Sequence, residues 1–138
     1  MISKIYNEND NRPQHLRDEF KQIAIDFDGV IHACSKGYFD GTIYDNPVDG
    51  SYDALEALSK KYDIIIYTAK AREDRPLVDG KTGKELVYEW LEKYDMKKFI
   101  IDVTAIKPRA IFYLDDRAIT FKSWQLFFKE FLFIENNV

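Results

Sequence analysis

One cysteine, two histidines, four prolines and six glycines among 138 residues leave little material for several common ways of stabilising or equipping a small protein. Cys34 cannot close an intramolecular disulfide and belongs to no zinc-ligand spacing, which excludes a disulfide scaffold and fits a reducing compartment. No window approaches the ~20 apolar residues of a membrane span. Even "LFFKEFLFI" carries Lys129 and Glu130. The first twenty residues lack the uninterrupted apolar centre of a signal peptide. The expectation is a soluble, cytoplasmic protein with no membrane partner. A basic field is missing too: 20 Lys and Arg against 24 Asp and Glu give a net charge of −4, so no global charge advertises nucleic-acid binding. No repeat, low-complexity tract or linker interrupts the chain.

What is present is enough for one core. Apolar residues make up 46% of the chain and aromatics 15%, which argues against disorder, and the length suits a single domain. We expect a polar arm over residues 1–19, containing Pro13, and one domain over 20–138. Four short apolar runs, at residues 23–27, 63–67, 99–103 and 110–114, are apolar on both faces, as in strands buried on both sides of a parallel sheet. Between them, Tyr52, Leu55 and Leu58 share one helical face with Ser51 as cap, and Leu86, Val87, Trp90, Leu91 and Tyr94 share another. "DGKTGKEL" lacks P-loop spacing and reads as a loop capped into the second helix. Strand and helix alternation implies an α/β fold with a ligand site beyond the carboxyl ends of the strands.

The first apolar run ends unusually, in "IAIDFDGVIH". Side chains alternate along a strand, so Asp26 and Asp28 lean to one side while Phe27 points to the other. A plain Asp-Gly turn explains these residues taken alone. The other strand ends tip the balance. Thr68, Lys70 and Arg72 follow the second run, Lys107 precedes the last, and Asp115, Asp116 and Arg117 follow it. Four carboxylates, a hydroxyl and a lysine on one rim suit Mg²⁺ with a phosphate, because hard cations take carboxylate and substrate oxygens.

In "DFDGV", Thr68 after "IIIY", Lys107 in "IKP" and "YLDDR", in that order, the chain resembles the haloacid dehalogenase superfamily of phosphohydrolases over about residues 22–117. The resemblance implies a doubly wound, Rossmann-like parallel sheet with helices on both faces. It implies Asp26 as nucleophile forming an aspartyl-phosphate, Asp28 as general acid and then base, and Thr68 and Lys107 as holders of the phosphoryl group. It also implies Mg²⁺ held by Asp26, Asp28 (through its backbone carbonyl), Asp115 and Asp116. The second aspartate of the first motif favours phosphate chemistry over dehalogenation.

Members of this superfamily often carry a cap domain over the site. Residues 29–47 have room only for a turn and a small hairpin, and residues 68–107 are used up by a loop, a helix and a strand, so no cap is expected. "DDRAITFKSW" is similar to the phosphatase half of phage-type polynucleotide kinases. Trp124 within it, among Phe127, Phe128 and Phe131, reads as core. Arg72 and Arg117 are candidates for substrate contact, as is His32 at the entrance, with a structural hydrogen bond as its alternative role. The expected activity is Mg²⁺-dependent hydrolysis of a phosphomonoester: a nucleotide, a small phosphometabolite or a phosphorylated nucleic-acid end. The alternatives are a specific polynucleotide 3′-phosphatase and a non-catalytic binding module. A homo-oligomer is compatible with the sequence and not specified by it.

Overall fold

Isoleucine-rich runs too short for helices pair into a sheet in the computed structural model, which describes residues 21–137. The expected arm at residues 1–19 lies outside the described residues. The strands are β1 (Gln22–Ile25), β2 (Asp63–Tyr67), β3 (Ile100–Thr104) and β4 (Tyr113–Leu114). They form one parallel sheet in the order β3-β2-β1-β4. β1 and β2 are interior, and Ile23, Ile64 and Ile66 are fully buried, as unbroken apolar runs require.

β4 is an edge strand and shorter than the run at 110–114 suggests. Its ladder to β1 nevertheless reaches further, through Ile111 N to Gln22 O (2.8 Å) and Asp26 N to Leu114 O (2.9 Å). The second of these bonds fixes Asp26 directly to the end of β4.

Helix α1 (Ser51–Ser59) joins β1 to β2, and α2 (Gly83–Lys93) joins β2 to β3. Ser51 does not cap α1. Gly50 takes that place at φ +86°, and the Ser51 hydroxyl donates back to Val48 O at 2.7 Å. α2 begins as the sequence suggests: Thr82 and Glu85 form a reciprocal capping box. Its inward face carries Val87, Trp90 and Leu91 into the core. There Trp90 meets Phe27 edge-on at 5.1 Å between ring centroids. Phe27 is fully buried, a burial that contributes about 1.5–3 kcal/mol, and it anchors the chain between the two aspartates.

The chain runs outward from β1 to β2 and β3, then returns to place β4 on the other side of β1. Strand order therefore reverses between β1 and β4, and the loops leaving these neighbours diverge around a crevice, the usual ligand position in open α/β sheets.

Helix α3 (Trp124–Asn137) contradicts one expectation. Trp124 is 66% exposed and no residue of α3 is buried. Apolar residues surround this helix, so their pattern names no single inward face. No helix among the described residues is long and apolar enough to cross a membrane.

Candidate functional site

Asp26 is the first residue beyond β1. Its Oδ1 accepts from the Phe27 N–H at 2.8 Å. Ligand oxygens of Asp26, Asp115 and Asp116 all lie within 4.8 Å of one another. Burial raises the Asp26 pKa to about 6, with the charges of Asp115, Asp116 and Asp28 adding to the rise and the Phe27 N–H opposing it. Three carboxylates converging at this distance repel unless a cation or proton intervenes. All-oxygen donors in such a cluster fit a hard divalent cation such as Mg²⁺.

The approach of Asp116 depends on Gly29. A Cβ there would lie 2.3 Å from Asp116 Oδ2, and Gly29 has φ +84°, a conformation that glycine adopts without penalty. The turn after Asp28 thus also makes room for the second acidic pair. Asp115 is held by the Arg117 N–H, which donates to its Oδ1 at 2.7 Å.

Asp28 sits in a different electrostatic setting. His32 Nδ1 donates to its Oδ1 at 2.8 Å, and Lys70 Nζ lies 3.3 Å from its Oδ2. Burial alone would raise the Asp28 carboxyl; the His32 hydrogen bond and the Lys70 charge outweigh it and hold the pKa below the ordinary value. The two aspartates are therefore pushed in opposite directions, as in sites that divide acid, base and nucleophile roles.

His32 does not line the entrance. It is completely buried, stacked against Phe27 with ring centroids 5.5 Å apart. Its Nε2 accepts the Asp45 N–H at 3.1 Å, which leaves Nδ1 as the protonated nitrogen facing Asp28. A second cluster of donor atoms, at Asp28, His32 and Cys34, is unsuited to a metal because both His32 nitrogens are already engaged.

The remaining candidates divide. Thr68 is buried and caps a 3-10 turn (Ala69–Ala71), its hydroxyl accepting from the Lys70 N–H at 3.2 Å. A cleft of about 590 Å³ brings Thr68, Lys70 and Arg117 together with Asp26, Asp28 and the Asp115-Asp116 pair. Lys107 lies on the other side of Asp26, sharing a smaller cleft of about 250 Å³ with Asp26 and Asp115. Its ammonium is 4.6 Å from the Tyr113 ring centroid, and among the described residues it is paired with no carboxylate. Arg72 is not on the wall of the larger cleft. It grips Asp74 through two bonds, of 2.9 and 2.6 Å.

Three participants went unassigned in the sequence reading. Lys70 stood there only as one of several rim cations, yet it is 94% buried and paired with Asp28. The start of α2 packs closely on its backbone: a Cβ on Gly83 would fall 1.7 Å from Lys70 O. Arg75 and Tyr38 also line the cleft, and no spacing signal marks either. No family model, curated protein or solved structure matches this chain.

Proposed function

We propose that this chain is a Mg²⁺-dependent phosphomonoesterase of the haloacid dehalogenase type, working through an aspartyl-phosphate on a doubly wound, capless core. The observation that carries the reading is the convergence of Asp26, Asp115 and Asp116 at the strand-order reversal, with Asp28, Thr68 and Lys70 in the same cleft.

Asp26, Asp115 and Asp116 would hold the cation, which when bound supplies charge neutralisation for the phosphoryl oxygens. An Asp26 carboxylate oxygen attacks phosphorus, the ester P–O bond breaks, and the departing oxygen takes a proton from the Asp28 carboxyl. Asp28, now a carboxylate, removes a proton from water. The water oxygen attacks phosphorus, and the bond to Asp26 breaks to free phosphate. The His32 hydrogen bond and the Lys70 charge hold the Asp28 pKa down, but a substrate dianion beside it opposes the Lys70 charge and favours the protonated acid that the first step needs. Thr68 would orient the phosphoryl group and Lys107 would approach it from its own side of Asp26.

The test is a Mg²⁺-containing panel of nucleotides, sugar phosphates and 3′- or 5′-phosphorylated oligonucleotides, assayed with the wild type and Asp26→Asn. Hydrolysis by the wild type alone is expected. Activity surviving in rigorously purified Asp26→Asn protein would overturn the mechanism.

A further inference from the structure

At about 590 Å³ the cleft is far larger than the phosphoryl group it would act on and leaves room for the alcohol side of the ester. One part of its wall is a loop folded back from Cys34 to Tyr44 by its own hydrogen bonds. The Tyr44 hydroxyl donates to Gly37 O at 2.8 Å and accepts the Lys36 N–H at 2.7 Å, while the Ser35 N–H reaches Asp45 Oδ2 at 2.9 Å. Cys34 and Phe39, both at φ +54°, absorb the tight curvature.

Tyr38, on this loop, is 53% exposed and is the only aromatic residue lining the cleft among the described residues; with Arg75 it also lines a smaller adjoining pocket. Its seating is specific. A Cβ on Gly41 would come to 3.1 Å from the Tyr38 hydroxyl, and the Arg75 guanidinium carbon lies 5.5 Å from the ring centroid. Arg75 lines the cleft as well, unlike Arg72, which is committed to Asp74.

We infer that Tyr38 and Arg75 form a stacking platform for a nucleobase, so that the substrates of this site are nucleotidyl phosphomonoesters. The inference rests on the phosphatase reading for the reacting end and goes beyond it for the other. A tyrosine ring and a guanidinium both present flat, polarisable faces, which match a planar base and are largely wasted on a small sugar or glycerol phosphate. Arg75 takes one face of the ring and leaves the remainder to solvent or substrate. Stacking tolerates any base, so the platform sets substrate class and not base identity. A free nucleotide and the last nucleotide of a strand offer the same base and phosphate, and the cleft is open to both.

Catalytic efficiencies of wild type, Tyr38→Ala and Tyr38→Phe on nucleoside 3′- and 5′-monophosphates, a 3′-phosphorylated oligonucleotide and ribose 5-phosphate test the assignment. The ratio of nucleotide to ribose 5-phosphate efficiency should fall about ten-fold in Tyr38→Ala and recover in Tyr38→Phe. Mononucleotides against oligonucleotide within the same set identifies the source of the base. Calorimetric binding of the same nucleotides to Asp26→Asn protein, with and without Tyr38→Ala, separates the two readings. Tyr38-dependent binding together with a wild type that hydrolyses none of these esters leaves the platform standing and removes the phosphatase. Equal wild-type efficiency on nucleotides and ribose 5-phosphate, with a ratio unmoved by Tyr38→Ala, overturns the platform and leaves the phosphatase intact.

Discussion

His32 Nδ1 and Asp28 Oδ1 are 2.8 Å apart, and the histidine is completely buried while the aspartate opens onto the cleft. The imidazole cannot touch a substrate, but it fixes one oxygen of Asp28 while Lys70 faces the other. Proton transfer is sensitive to displacements of about 1 Å. His32→Ala should therefore lower kcat by about ten- to hundred-fold with little change in KM. In His32→Asn an amide N–H stands close to the position of Nδ1, and part of the rate should return. Circular dichroism must show both variants folded; an asparagine variant as slow as the alanine one would assign His32 to packing alone.

The raised pKa of Asp26 has a stability consequence whose sign is opposite to that of an ion-paired carboxylate. With a folded-state pKa of about 6 against an ordinary carboxyl value of 3.8, the native protein binds more protons than the unfolded chain between these pH values. Stability of the metal-free protein then falls as pH rises through this window. Asp26→Asn removes that contribution, so in EDTA it should melt above the wild type at pH 7.5 and lose the advantage near pH 4. Thermal melts across this range check the difference, and parallel curves would contradict it.

Mg²⁺ should relieve the same repulsion. At a hundred times its dissociation constant, a cation bound only to the folded state stabilises by about 2.7 kcal/mol. The wild type should show a Mg²⁺-dependent rise in melting temperature at pH 7.5, weakening below pH 6 as Asp26 takes up its proton. Asp115→Asn and Asp116→Asn should each abolish most of the rise. A shift that persists in both variants would place the cation elsewhere.

Two glycines carry the site on their missing side chains. Gly83→Ala drives a Cβ against Lys70 O and should cost about 1–3 kcal/mol in urea unfolding, as other overpacked sites do. It should also lower kcat, because the ammonium beside Asp28 moves with its backbone. Gly29→Ala adds a backbone penalty of about 1–2 kcal/mol at positive φ to a clash with Asp116, and should erase the Mg²⁺-dependent melting shift. A Gly29→Ala protein that retains the full shift would show that Asp116 is dispensable for the cation.

The interior strands were legible because a strand buried on both sides needs an apolar run, and the runs at 23–27 and 63–67 match β1 and β2 to within a residue or two. The runs at 99–103 and 110–114 were read as buried on both sides as well, but β3 and β4 are edge strands that leave Ile101, Tyr113 and Leu114 exposed. The start of α2 was legible for a similar local reason, since Thr82 and Glu85 are a capping box within four residues. Trp124 was misread because α3 is apolar all round, and composition cannot say whether a partner surface is present. Ser51 was misread because Gly50 takes the capping position.

The acidic residues and the hydroxyl of the candidate site are set by the sequence itself, because alternation beyond a strand directs Asp26 and Asp28 together and chain order puts Thr68, Asp115 and Asp116 at neighbouring strand ends. What only the tertiary structure decided is which groups act on them. Lys70, His32, Tyr38 and Arg75 acquire their partners through contacts that no local spacing encodes: the close packing of Gly83 on the Lys70 backbone, the Asp45 amide behind His32, and a loop closed on itself beneath Tyr38. Carboxylate position follows from backbone periodicity, whereas proton affinity and substrate fit depend on charges and surfaces brought together by the fold.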